Sequence, residues 1–322
     1  MAIDSVSFAA KFCALRLVAQ YALACGCIVS STACQLVHAA YSRGYAVNSV
    51  NLPVNAAEAT SYAIDLDGDG HAENAFGSIF PILGAMGLNV IDIPGATASA
   101  TTAGKIVHLV EVRSSDVAFV NDAGAEAIWY VGKATASPPL FDGMDTFKYD
   151  GDYAPAAFCA PLSGGGFVSE SPATMTPTIG IVVEIAIGNH VVALPLEEGR
   201  LEFTAIGSTL AQGQVNGAVL TDDIHNKVIP TLATAFNDIV QADPQSATAQ
   251  GLLSTFDKNP TDGFISLTEV ENNSFISSVF APDVQIRDKY GNYALAVSFG
   301  FGFSAVESIV ELPPIFADGF EK

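Results

Sequence analysis

The sequence predicts an α+β domain: a central antiparallel β region flanked by helices, with a helix-loop-helix near the C-terminus. Three observations point there. Alternating, β-branched runs gather in the middle of the chain, helical periodicity lies on both sides of them, and no βαβ rhythm or fixed repeat occurs. With 322 residues, half of them apolar, the chain can bury a sizeable core.

In order along the chain, Tyr45–Leu52 alternates and stops at Pro53, which suits a strand. Asn55 with Glu58 three residues on marks the start of a short helix over Ala56–Ala63. Ala75, Phe76, Ile79, Phe80 and Leu83 recur at helical spacing, with Pro81 expected to bend that helix. Gly95–Gly104 reads as a small-residue linker. Strands are expected at Ile106–Val112, Val117–Val120 and Ala127–Val131. Pro138–Gly166, rich in Pro, Gly and Asp, reads as a long ordered loop. Ile179–Ile185 and Val191–Leu194 flank Gly188-Asn189-His190, a hairpin signal. Leu201–Ile206 and Gln214–Leu220 complete the β region. Asp222–Val240 carries an apolar helical face interrupted by Pro230. Asp243-Pro244 opens a further helix with Leu252, Leu253 and Phe256 inside. Another helix runs through Phe275–Phe280, and Tyr293–Val306 is one long strand or a strand pair.

The N-terminus reads as an export signal. Lys11 and Arg16 precede an uncharged stretch, Leu17–Val37, and Val37-His38-Ala39 offers a cleavage site. That stretch is also long enough to span a bilayer. Its Ala-, Cys- and Ser-rich composition favours cleavage over a retained anchor, so a membrane becomes a partner only if the leader is retained or lipidated. Expected boundaries are an export signal over 1–39, a single domain over 40–306 and a C-terminal tail over 307–322. Cys13, Cys25, Cys27 and Cys34 lie in the leader. Cys159 alone would remain after cleavage, leaving no intramolecular disulfide. The formal net charge of −21 argues against nucleic acid as a partner, since it is itself a polyanion.

Two acidic loops carry the chemistry. Calcium takes about six to eight oxygens, and a calcium loop supplies them at its first, third, fifth, seventh, ninth and twelfth positions, with Gly at the sixth. In the loop at 65–76, Asp65, Asp67 and Asp69 fill the first three ligand positions. Gly70 is the turn, His71 offers its carbonyl and Glu73 the ninth position. Phe76 stands twelfth and cannot ligate, so Asn74, a distant carboxylate or water must complete the shell. In the loop at 257–269, Asp257 and Asn259 open the set and one extra residue, Pro260 or Thr261, bulges. Asp262 follows as the fifth-position ligand, with Gly263 as the turn. Phe264 offers a carbonyl, Ile265 the apolar position, Ser266 the ninth ligand and Glu269 a bidentate twelfth. Ser266 and Glu269 also spell a capping box.

Residues 245–281 resemble the EF-hand family. The resemblance implies calcium binding by a helix-loop-helix, and with no paired loop nearby it implies a structural ion. The first loop looks like the Asp-x-Asp-x-Asp-Gly loops of extracellular calcium modules. The order of parts also resembles uncharacterised exported bacterial proteins. No zinc-type histidine pairing, Gly-x-Ser-x-Gly elbow or phosphate loop appears. The expectation is a secreted, periplasmic or cell-surface protein with structural Ca2+. Its role is a non-catalytic surface or binding one, with an extracellular glycan or protein as partner. The alternative is a secreted hydrolase with structural calcium.

Overall fold

The computed structural model describes residues 39–85, 91–169, 180–288 and 290–311. Among these, twelve strands form one hydrogen-bonded system. They are β1 (Tyr41–Asn51), β2 (His108–Ser114), β3 (Asp122–Ala134), β4 (Thr146–Tyr149), β5 (Ala156–Ser163) and β6 (Gly166–Val168). Then come β7 (Ile181–Ile187), β8 (His190–Ile206), β9 (Thr209–Leu220), β10 (Val284–Arg287), β11 (Tyr293–Glu307) and β12 (Ile309–Glu311).

Adjacent strands run β3-β2-β1-β11-β9-β8-β6-β5, and β3 pairs with β5 in turn. All of these pairings are antiparallel. Eight strands therefore close into a ring, joined in chain order. The rest are extensions: β4 and β12 continue from β3, β7 from β8 and β10 from β11, and β12–β4 is a parallel pair.

This corrects the predicted α+β class. The protein is mostly β, a large sheet of twelve strands, and neither the flanking helices nor an EF-hand-like helix-loop-helix defines it. The physical reason is closure. A ring of strands satisfies its own edges and buries its own inner face, so it needs no helical layer on either side.

The helices lie in two excursions. Between β1 and β2 stand α1 (Ala56–Ser61), α2 (Ala75–Ala85) and α3 (Ile93–Thr102). Between β9 and β10 stand α4 (Ile229–Ala242), α5 (Ala247–Phe256), α6 (Leu267–Glu271) and α7 (Ser274–Val279). The expected linker at Gly95–Gly104 is α3, capped by the Asp92 carboxylate on the Gly95 amide with a proline in its first turn. Pro230 does not break its helix. It cannot donate to the preceding turn, so Ile224–Val228 widens to a π turn in which the Ile229 N–H bonds the Ile224 carbonyl. Val117–Val120 is part of the β2–β3 connection, and the expected long loop contains β4 and β5.

Alternate residues fill the ring. Ala125, Ala127 and Trp129 of β3, Phe158 and Leu162 of β5, and Phe299, Phe301 and Phe303 of β11 join one buried cluster. Phe167 stacks on Phe203 with centroids 4.9 Å apart, and Trp129 meets Phe303 edge-on at 5.5 Å. Each such side chain contributes about 1.5–3 kcal/mol by burial. A surface pair such as Lys148–Glu311, with both side chains more than half exposed, contributes ~0–1 kcal/mol. The packed interior therefore dominates stability. Cys159 on β5 is disulfide-bonded.

The outer edge of β7 is met by side chains. The indole N–H of Trp129 donates to the Val182 carbonyl at 2.9 Å, the Ala186 N–H donates to Thr97 Oγ1 at 2.9 Å, and the Glu184 N–H donates to His108 Nε2 at 2.8 Å. His108 is thus a neutral acceptor, and burial pushes it down to about 3 from 6.5. The Glu184 carboxyl is pushed up to about 7 from 4.5 by burial, with Asp150 adding to the rise and the Val107 N–H and Lys133 opposing it.

The two groups pull stability in opposite directions. Acidification from about 6.5 to 3 protonates His108 in the unfolded chain first, so the fold weakens as pH falls. Between about 4.5 and 7 the folded chain alone holds the Glu184 proton, so the fold weakens as pH rises. Relative to wild type, Glu184→Gln should make stability climb more steeply with pH over that range. His108→Asn should make it fall. Denaturant midpoints across the range test this, and parallel curves for all three proteins would refute it.

Candidate metal centre

The first acidic loop is closed by an isolated bridge between Ile64 and Glu73, with backbone bonds of 3.3 and 3.0 Å. Leu66, buried to 3 % exposure, fastens the loop to Val284, Ile286 and Ala296 of the β10–β11 hairpin. Asp65 accepts from the Gly68 N–H at 2.7 Å and the Gly70 N–H at 3.0 Å. Gly68 and Gly70 hold φ of +80° and +91°, which side chains other than glycine rarely adopt.

The fold brings Asp65, Asp67 and Glu73 together, with one oxygen from each inside a mutual 4.8 Å. Glu73 Oε2 is buried and has no hydrogen-bond partner. Its carboxyl is raised, first by burial and then by Asp69, Asp67, Asp65 and Asp283. Glu198, at the β8 bulge, is also raised by burial, with Asp67 adding to the rise against the Arg287 N–H and charge. Local sequence gave no sign of Glu198 or Asp283, which lie far along the chain.

Asp69 and His71 stay exposed, and the Asp69 carboxylate accepts from the His71 N–H at 2.8 Å. Asn74 is committed elsewhere. Its amide donates to the Ala59 and Gly300 carbonyls at 3.0 and 2.9 Å, and its oxygen accepts from Gly77 and Gly300 at 3.1 and 2.9 Å. Phe76 belongs to the core.

The second loop joins α5 to α6, a helix of only five residues. Asp257, buried, accepts from the Asp262 and Gly263 amides at 3.1 and 2.8 Å. Asp262 accepts from Phe264 at 3.0 Å. One Glu269 oxygen accepts from Lys258 and Asn259 at 2.7 and 2.8 Å; the other accepts from the Ser266 amide and hydroxyl at 2.9 and 2.8 Å. The capping box is present. Burial works to raise Glu269, but those amides and the hydroxyl hold it at about 2. Ile265 exchanges backbone bonds with the buried Asn237 side chain at 2.9 and 2.7 Å. Asn259 and Phe264 are exposed. Among the described residues no group of three carboxylates converges here; the acids are occupied by the loop's own donors. These bonds make the loop a cap for α6.

The donor set of the first loop suits a hard cation: three carboxylates, one with an orphaned oxygen, and no nitrogen or sulfur. No family model, curated protein or solved structure matches the chain.

Because Glu269 serves as a cap, Glu269→Ala should lower stability by about 1 kcal/mol. The loss should be equal in calcium and in chelator, as read by thermal melting. A loss confined to calcium would restore this loop as an ion site.

Proposed function

We propose that the chain is an exported calcium-binding protein whose ion is structural, held at Asp65, Asp67 and Glu73. Its role is that of a non-catalytic surface or binding protein at the cell surface, in the periplasm or in the medium. One observation carries the reading: the buried Glu73 Oε2 has no partner while two further carboxylates face it. Three converging acids repel one another, and a divalent ion among them turns that repulsion into attraction. Metal that binds only the folded chain stabilises it, by ~2.7 kcal/mol at about a hundred times Kd.

Thermal melting of the protein with calcium and with chelator tests this. The expected result is a higher midpoint in calcium. Glu73→Gln should raise the midpoint in chelator, by relieving repulsion, and shrink the gain in calcium. A midpoint indifferent to calcium removes the reading.

A secreted hydrolase competes on one observation. His190 Nε2 lies 2.7 Å from Asp238 Oδ2, and Asp238 lines a groove of about 530 Å³ together with Ser99, Lys105 and Asn189. Turnover of generic ester, peptide or glycan substrates that His190→Ala abolishes would favour it.

A further inference from the structure

Among the described residues five aspartates directly precede a glycine: Asp67, Asp69, Asp142, Asp150 and Asp262. Such a step carries its own reagents. The glycine amide nitrogen can close a five-membered ring on the aspartate carboxyl carbon, and glycine has no side chain to bar the approach. Ring closure requires the peptide plane to swing. A glycine N–H already bonded to a fixed acceptor resists that swing.

Three of the five glycines are held in this way. The Gly68 and Gly70 N–H groups donate to the two Asp65 oxygens at 2.7 and 3.0 Å, and the Gly263 N–H donates to Asp257 Oδ2 at 2.8 Å. The leading aspartate of each acidic loop thus pins the glycines behind it. Asp150 is protected on the carboxyl side: it is 8 % exposed, and its Oδ1 lies 2.7 Å from Lys133 Nζ. Asn216-Gly217, where the same attack would expel ammonia, lies inside β9 with Asn216 buried and its side-chain amide donating to the Tyr62 carbonyl at 2.6 Å.

Asp142-Gly143 has neither safeguard. It lies in the connection between β3 and β4, and both residues are exposed. Among the described residues the Gly143 N–H meets no acceptor. A methyl group placed on Gly143 would find only the Glu307 carbonyl, at 3.6 Å. The Asp142 carboxylate accepts one bond, from the Met144 N–H at 3.0 Å. The residues on either side of the step are fixed. Phe141 stacks on Phe147 of β4 with centroids 5.9 Å apart, and its N–H donates to the Asp145 carboxylate. The Asp145 carbonyl accepts from the Ile309 N–H of β12 at 3.0 Å. This turn therefore ties β12 to β4.

We infer that Asp142 is a modification site, at which the folded chain converts aspartate to isoaspartate. The Gly143 nitrogen bonds to Asp142 Cγ, and the carboxyl hydroxyl leaves with the amide proton as water. Water then opens the resulting succinimide. Opening at the former main-chain carbonyl routes the backbone through Cγ and frees the α-carboxylate, so mass and charge are unchanged. The backbone gains one methylene between Phe141 and Asp145, which loosens the tie to β12. The inference is independent of the ion site.

The test ages the full chain at neutral pH, folded and in urea. After digestion, isoaspartate is resolved at each of the five steps as a second chromatographic peak of equal mass. In the folded chain its yield at position 142 should exceed that at 67, 69, 150 and 262 several-fold. In urea the five yields should converge. A folded chain that isomerises no faster at 142 than at 262 overturns the inference, and so does a ranking that persists in urea. Asp142→Glu keeps the charge but would need a six-membered ring, so it should be inert. Aged wild type should lose part of its melting midpoint while the aged variant keeps its own. Equal retention would refute the tie to β12.

Discussion

The closed ring depends on one pairing, that of β3 with β5. Residues 122–129 of β3 face β5, and 132–134 turn to β4, so a single strand closes the ring and starts its extension. Direct strand neighbours decide which segments meet at the first acidic loop. The Asp65 loop leaves after β1, Glu198 sits on β8 and Asp283 precedes β10, and the adjacent run β1-β11-β9-β8, with β10 on β11, lets their charges bear on one another. The electrostatic strain at Glu73 is therefore a property of the sheet as much as of its own loop.

The two acidic loops show how like compositions diverge. Carboxylates in a tight turn attract backbone amides before anything else, since those donors are adjacent and cost no further ordering. In the second loop the amides and one hydroxyl are enough: all four bonds to Glu269 come from Lys258, Asn259 and Ser266. In the first, Asp65 and Asp69 are served in this way, but Glu73 stands on the closing bridge, past the turn, and its Oε2 finds no donor. A motif counts carboxylates; the structure counts how many oxygens remain once the turn has taken its share.

Much of the local structure was legible. The Asn55 cap, the Gly188–Asn189 hairpin, the Ser266–Glu269 capping box and the long β11 run all follow from short-range chemistry. The failures have physical causes. Residues 93–102 form a helix without an apolar stripe; its one clear signal was Asp92 before Pro94. The alternation of β5, with Ala156, Phe158, Ala160 and Leu162 inward, was hidden by the Pro- and Gly-rich sequence around it. The fold class was missed because closure is non-local, and a period-two pattern reads alike in an open sheet and a ring. Of the candidate side-chain ligands, Asp65, Asp67 and Glu73 converge, and Asp69 adds its charge at Glu73. Spacing locates a turn but does not show which way its side chains point.

The border of β7 has a consequence of its own. Val182, Glu184 and Ala186 give their outward backbone groups to an indole, an imidazole and a threonine hydroxyl. A foreign strand trying to lengthen the sheet there finds those carbonyls and amides already taken by groups rooted in other elements. The usual defences of an exposed margin are charge, proline or a bulge. Here cross-chain recruitment and fibril-like stacking are blocked by occupancy instead, and the block lasts as long as the imidazole stays neutral.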